Sequence, residues 1–350
     1  MHTNGPVRSS PVVTDDSVYV GSDDGFVYAI DRAKCAGRLQ PADRLKPVLT
    51  EKQTRNKLLR TQPPPRIDVR NSMDVSLKPV ERLLFETDLA LVADFRCRPD
   101  DRLFRNSGPS NANCIIFPST STKIIRRKRH ATLESPADVS LMNRGEEYER
   151  VVISEEGTFT TWYTLADEVL DEILFDAGVR DLNFPVYQVR VPARTILEQR
   201  RLWAAIRAAK AIDPLAVEEK LIHLTRSILG CSARPEAMAV SPSAVERATE
   251  YLLAHFSEPL SLSDVARAAG ASVSYLSRAF HSTMGITMSA YRQRVRLTRS
   301  LDLLPQYEGN VTDLALELGY SSHSHFTYCF RSVFAMSPTA FLRELPQSRI

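Results

Sequence analysis

The sequence predicts an α+β multidomain chain. It reads as a disordered or vestigial N-terminal extension, a small β-barrel followed by helices in the middle, and an all-α C-terminal domain. Three observations predict this. Short β-branched and aromatic runs alternate with turn residues between 77 and 165. Apolar residues recur at helical spacing from 166 to 230. From 243 to 345 the pattern is helical, and it repeats itself. A chain of 350 residues suits two domains or slightly more. With 43% hydrophobic and 25% charged residues it has the composition of a soluble globular protein.

Residues 1–32 contain two β-like runs, 18–21 and 26–30, joined by the turn signal Ser22-Asp23-Asp24-Gly25. This stretch resembles one repeat of a quinoprotein-type β-propeller. A propeller needs several four-stranded blades, and no second copy follows. The expectation is a vestigial or fused fragment without propeller function. Residues 33–72 read as a basic, proline-containing linker. Ten Lys/Arg face two acids between 32 and 66, and the stretch ends in Pro63-Pro64-Pro65. It is read as a solvated tail, with nonspecific phosphate contact as the alternative. Composition becomes ordinary near Met73, where the working protein is expected to begin.

In the region 73–165, β runs are predicted at 89–95, 114–117, 123–125, 139–141, 151–153 and 160–165. Pro99-Asp100-Asp101, Ser107-Gly108-Pro109 and Glu155-Glu156-Gly157 supply turns. Such spacing predicts a small barrel or sandwich. The region 166–232 is read as a helical linker and dimerisation segment. Ile196, Leu197, Leu202, Trp203, Ile206 and Ala209 form one helical stripe, and Val217, Leu221, Leu224 and Ile228 a second. Breakers around Pro235 and Pro242 then read as a linker.

The region 243–345 is internally duplicated. Leu262, Ser263, Asp264, Val265, Ala266 and Gly270 match Val311, Thr312, Asp313, Leu314, Ala315 and Gly319 at a constant offset of 49. Phe280 and Tyr291 match Phe330 and Phe341 at an offset of 50. Ser263 and Thr312 are expected to cap a first helix, with Asp264 and Asp313 in its first turn. Gly270 and Gly319 sit at a sharp turn. Ser272, and Ser321 or Ser322, are expected to cap a second helix, whose buried stripe is Leu276 with Phe280 or Phe326 with Phe330. A joining helix is predicted over 289–304. The pattern is a helix–turn–helix, twice, and such a motif presents the front of its second helix to a major groove. The alternative is a plain α-bundle with an internal duplication.

On these residues the region resembles the AraC/XylS family of bacterial transcription regulators. The match runs through Leu276-Ser277-Arg278-Ala279-Phe280, Gly285, Tyr291, Arg296-Leu297, Gly319-Tyr320, Phe326, Phe330, Ser337-Pro338 and Phe341. Met288, Tyr328 and Ala335 depart from the family pattern, Ala335 standing where glycine is frequent. The resemblance implies base contacts from Ser274, Tyr275, Ser277 and Arg278 in the first reading helix. In the second it implies His323, Ser324, Thr327 and Tyr328. Arg278 is the strongest candidate, since arginine bonds a guanine edge in bidentate fashion; a phosphate contact or an internal ion pair is the alternative. Residues 243–350 hold ten arginines, no lysine and nine acids, so placement rather than net charge must carry binding. Arg292, Arg294, Arg296 and Arg299 on the joining helix are read as a phosphate-contacting cluster, with Arg292 and Arg296 foremost, or as a solvated face.

The region 73–165 resembles the cupin-like sensory barrel found ahead of many such domains. Arg144, Glu147 and Tyr148 either line a ligand pocket or form a surface turn with internal ion pairs. The basic run Lys123, Arg126, Arg127, Lys128 and Arg129 is read as a solvated strand end. The resemblance implies double-stranded DNA, RNA polymerase, a small-molecule effector and a second copy of the chain as partners. No cofactor, metal or membrane is expected. His130 is the only histidine between 73 and 222, which disfavours a metal-dependent cupin enzyme. His323 and His325, at i and i+2, do not share a helix face. GxGxxG, P-loop, GxSxG and HExxH motifs are absent. Five scattered cysteines without CxxC spacing suit a reducing, cytoplasmic setting. The alternative function is a quinoprotein-like or cupin-type enzyme or binding module fused to a helical scaffold.

Overall fold

The structure is a computed structural model that describes four short strands between 12 and 48, together with residues 75, 77–105, 108–126, 131–208, 213–232, 243–307 and 310–346. The chain divides into two units, Met1–Val69 and Arg70–Ile350. The expectations placed on Ala209, Arg127, Lys128, Arg129, His130 and the breakers at Pro235 and Pro242 lie outside the described residues.

In the first unit the predicted hairpin forms. β2 (Ser17–Gly21) pairs antiparallel with β3 (Val27–Asp31), Val18 opposite Ile30 and Val20 opposite Tyr28. Two short strands flank it, β1 (Val12–Val13) on β2 and β4 (Pro47–Val48) on β3. β4 falls in the stretch read as a structureless linker. Its two residues pair with the edge of β3 away from β2, Val48 opposite Val27 and Pro47 opposite Tyr28.

In the second unit nine strands form two sheets. One has the order β13-β10-β7-β12-β6-β5, the other β11-β8-β9. The strands are β5 (Glu81–Glu86), β6 (Ala90–Cys97), β7 (Cys114–Pro118), β8 (Thr122–Arg126), β9 (Ala131–Glu134), β10 (Val139–Met142), β11 (Tyr148–Val152), β12 (Thr158–Leu165) and β13 (Gln188–Val189). β12 is the centre of the larger sheet, pairing β6 along its length and β7 on the other side. Its Thr, Trp, Tyr and Leu suit a pleated surface buried on both faces. The run expected at 151–153 starts earlier, at Tyr148, because Tyr148 and Arg150 face inward opposite Arg126 and Ile124. β5, β9 and β13 carried no clear alternation in the sequence. The last of these interrupts the region 166–232, which is therefore not continuously helical.

Three helices follow or flank the sheets: α1 (Asp167–Asp176), α2 (Ala193–Ala208) and α3 (Pro214–Ser232). Trp203 of α2 is fully buried against Phe117 and Tyr163, and the Tyr163 hydroxyl lies 2.9 Å from Thr225 Oγ1 on α3. Seven more helices complete the unit: α4 (Ser243–Ala254), α5 (Leu262–Ala269), α6 (Val273–Met284), α7 (Met288–Leu303), α8 (Val311–Glu317), α9 (His323–Phe334) and α10 (Pro338–Glu344).

α7 is a shared wall. Its first half, through Met288, Tyr291 and Val295, packs with Leu276, Phe280 and the buried face of α4 and α5. Its second half, through Leu297 and Leu301, packs with Leu314, Phe326, Phe330 and Phe341. Each fully buried phenylalanine here contributes on the order of 1.5–3 kcal/mol. The first core also takes in Leu133 and Ala137 of the β region, and the second runs on into the core of α2, α3 and the larger sheet.

The duplicated glycines are not equivalent. Both are left-handed, φ 61° at Gly270 and 77° at Gly319. A Cβ at Gly270 would meet only Arg247 Nη2, at 3.5 Å. A Cβ at Gly319 would collide with the Ser257 carbonyl oxygen. Ala335 ends α9 with φ 58°, a conformation that costs an L-residue roughly 1–2 kcal/mol. Gly270→Ala should therefore destabilise by about 1 kcal/mol, Gly319→Ala by more than about 2 kcal/mol, and Ala335→Gly should stabilise by up to about 1 kcal/mol. Urea midpoints at constant m-value measure all three.

Candidate nucleic-acid interface

The two reading helices are positioned by the same local chemistry. In the first helix–turn–helix Ser261 Oγ accepts from the Asp264 amide at 3.2 Å, and Asp264 Oδ2 accepts from the Ser261 amide at 3.0 Å. This is a capping box. The Ser261 hydroxyl and amide hold the Asp264 carboxyl below the usual carboxylate range. In the second helix–turn–helix Asn310 Oδ1 accepts from the Asp313 amide at 3.3 Å. The expected caps Ser263 and Thr312 are thus corrected. The helices begin at Leu262 and Val311, two residues earlier than those caps imply, so both hydroxyls lie inside the first turn. Asp264 and Asp313 occupy the first turns as expected.

After each glycine a serine starts the reading helix. Ser272 Oγ accepts from the Tyr275 amide at 3.3 Å, and Ser322 Oγ from the His325 amide at 3.2 Å. Leu276 and Phe280, and Phe326 and Phe330, turn inward. The opposite faces are left to solvent. Ser274, Tyr275, Ser277 and Arg278 are exposed on α6. On α9, His323, Ser324 and Tyr328 are exposed and Thr327 is half-buried. Tyr328, at 74% exposure, is the most exposed large hydrophobic side chain of α9.

Arg278 bonds only along its own helix, Nε to the Ser274 carbonyl at 3.3 Å, and no carboxylate pairs with it among the described residues. His323 Nε2 lies 3.2 Å from Thr327 Oγ1, and His325 Nδ1 lies 3.2 Å from Ser321 Oγ. The two rings therefore have different partners on different sides. No group of three or more metal-ligating side chains occurs among the described residues.

The arginines of α7 do not form the phosphate cluster expected of them. Arg296 is buried. Its Nε donates to the Phe256 carbonyl at 2.6 Å, Nη1 to Gly319 at 2.9 Å and Nη2 to Glu258 at 3.4 Å. Burial pulls its pKa down to about 10. Arg294 donates to the Ala137 carbonyl at 2.9 Å and also to that of Val191. Arg299 donates to the Ser119 carbonyl at 3.0 Å and to Glu156 at 2.5 Å. Among the four, Arg292 and Arg294 are only half-buried, and Arg292 makes one bond, of 3.3 Å, to the Glu258 carbonyl. A helix with an arginine at every second or third position reads as a basic face; buried backbone carbonyls on three sides are what turned these side chains inward.

Arg267 is a cation that the sequence reasoning passed over. It sits in the last turn of α5 with its side chain 78% exposed, paired with Asp264 at 3.2 Å. The first helix of a helix–turn–helix crosses the nucleic-acid backbone, and that position was the available signal.

Residues 265–344 match the family model described as a helix-turn-helix domain. The regulatory protein PocR of Salmonella typhimurium is 30% identical over 106 residues, covering 30% of this chain and 35% of PocR. The C-terminal domain is of the AraC/XylS type. The HTH-type transcriptional activator RhaS of Escherichia coli O139:H28 is 31% identical over 189 residues, covering 51% of this chain and 66% of RhaS. This chain thus spans from about a third to just under two thirds of the length of these curated relatives. Among solved structures, an AraC-type regulator of Chromobacterium violaceum is 31% identical, covering 30% of this chain and 93% of that one, with a TM-score of 0.28. ToxT of Vibrio cholerae is 13% identical, covering 73% and 98%, with a TM-score of 0.31.

Arg278→Ala should cost roughly 1–3 kcal/mol on a specific site and relax preference at one base pair. Binding titrations on a set of single-base variants check it. An equal loss on all sequences would make Arg278 a phosphate contact.

Proposed function

We propose that the chain is a sequence-specific DNA-binding transcription regulator of the AraC/XylS type. α6 and α9 enter two successive major grooves on one face of a duplex. Ser274, Tyr275, Ser277, Arg278, His323, Ser324, Thr327 and Tyr328 read base edges, and Arg292 neutralises phosphate. The observation that carries the reading is the pair of capped helices with bare polar faces, set against opposite halves of α7.

The β region, residues 73–165, acts as the sensor for a small effector. Its contacts with the reading domain support this. Lys123 on β8 lies 3.2 Å from Glu246 and 2.8 Å from Glu250 of α4. Arg190 joins Asp138 at 3.1 Å and donates to the Met284 carbonyl, at the end of α6, at 2.6 Å. Arg200 of α2 pairs with Asp302 of α7 at 2.7 Å. The surface-strand reading of Lys123 and Arg126 is corrected by these contacts, because Arg126 is also buried, 2.8 Å from Glu146. Arg144 follows the ion-pair alternative, held by both oxygens of Asp167 at 2.8 Å.

Residues 166–232 are the proposed dimer segment, RNA polymerase the proposed protein partner and the cytoplasm the proposed location. Among the described residues no helix is long and apolar enough to cross a membrane.

The test is selection of binding sites from fragmented genomic DNA with the full chain, followed by footprinting over a salt series. The expected result is a shared motif protected over about two helical turns. Weak, sequence-blind binding that salt erases would overturn the reading.

A further inference from the structure

The space between the two sheets is lined partly by polar groups. In-register pairing sets Tyr148 against Arg126 and Arg150 against Ile124 on the inner face of the β11-β8-β9 sheet. Across from them stand Phe95, Ile116 and Trp162 of the larger sheet. Between the sheets is a small cavity of about 40 Å³ lined by Arg150, Trp162, Phe95, Tyr148, Lys78 and Glu81 among others.

Arg150 is 7% exposed, and its Nε and Nη1 have no hydrogen-bond partner among the described residues. Its remaining nitrogen donates to the Tyr148 hydroxyl at 3.3 Å. The guanidinium plane is held by the rings of Phe95, 4.2 Å away, and Tyr148, 4.9 Å away, so its direction is set before anything binds. Trp162 is 5% exposed, and its indole N–H is also without a partner. A buried cation with unmet donors costs several kcal/mol unless something completes it. Glu134 and Glu81 feel the charge of Arg150, but no hydrogen bond joins either to it. Burial pushes both of these carboxyls up, and the charge of Arg150 acts against it.

We propose that this cavity binds a small monocarboxylate with a short apolar tail, its carboxylate held by Arg150 and the indole N–H of Trp162. The unmet groups are all donors, so the occupant brings acceptors. Nε and Nη1 lie on different edges of the guanidinium, so one carboxylate oxygen accepts from one of them and the second oxygen is left for the indole N–H. A single unmet guanidinium matches a single negative charge. Cys114, Ile116 and Met142 offer the tail an apolar lining. Lys78 is occupied, donating to the Pro109 carbonyl at 3.1 Å. The inference rests on the β region being the sensing half of the regulator. Arg150 lies opposite Ile124, and the next residue on β8, Lys123, is the one that grips α4. Occupancy is therefore one strand away from the first reading unit.

The experiment is calorimetric titration of the full chain with acetate, butyrate and hexanoate, and with the matching primary amides, at constant ionic strength. The wild type is compared with Arg150→Met and Trp162→Phe. The expected result is saturable binding of at least one acid, about tenfold or more weaker for its amide and for Arg150→Met. Trp162→Phe, which removes only the N–H, should weaken binding severalfold and leave the fold intact by circular dichroism. Absence of saturable binding by every acid, or equal binding of acid and amide, overturns the proposal. DNA titrations run alongside with and without the acid. Specific DNA binding without carboxylate binding sinks this site and leaves the regulator reading standing. Carboxylate binding that leaves DNA affinity unchanged keeps the site and sinks its sensing role.

Discussion

The Arg296 guanidinium is where the two reading units are joined. It bonds the Phe256 and Glu258 carbonyls, which belong to the turn between α4 and α5, and the Gly319 carbonyl, which belongs to the turn between α8 and α9. Three backbone oxygens from two turns converge on one planar fork, and its face lies 5.6 Å from the Tyr320 ring. α5 and α8 have only eight and seven residues. Helices that short have no stability of their own in water. Each reading unit exists because it packs on α7, and their mutual geometry is held by a side chain from the middle of that helix. The same crowding explains why Gly319 tolerates no Cβ while Gly270 has room.

α7 also receives the β region. Arg294 reaches Ala137 and Val191, Arg299 reaches Ser119 and Glu156, and Arg200 of α2 meets Asp302. One helix thus meets the reading units through apolar side chains and Arg296, and the β region through Arg294 and Arg299. Ala137 and Leu133 extend the first reading core into the β region, and the second reading core is continuous with that of α2 and α3. A change between the sheets has two packed routes to the reading helices.

Much of the C-terminal domain was legible because its constraints are local. Serines before each reading helix, glycines at each turn and aromatic residues at i, i+4 announce themselves at short range. The caps Ser261 and Asn310 were missed because Ser263 and Thr312 align across the duplication and drew the assignment inward. Arg296 was misread for a deeper reason. Its sequence neighbours, Arg292 and Arg294, suggest a basic face, and only tertiary contacts distinguish a guanidinium aimed at backbone carbonyls from one aimed at solvent. The interior of the β region was illegible for the same reason. Arg150 stands in an ordinary alternating strand, and only the facing sheet gives it Phe95 and Trp162 as neighbours.

The most direct test of the central claim is the affinity of Arg296→Lys for a complete site and for each half of it, measured over a salt series. Lysine keeps the charge but cannot bridge three carbonyls from one planar group. The account predicts unchanged affinity for the isolated halves and an unchanged salt slope. It also predicts a loss of about tenfold or more in the extra affinity of the complete site. Equal losses on halves and whole with a flatter salt slope would make Arg296 a phosphate ligand, and an undiminished gain from the complete site would show that it does not join the two readers.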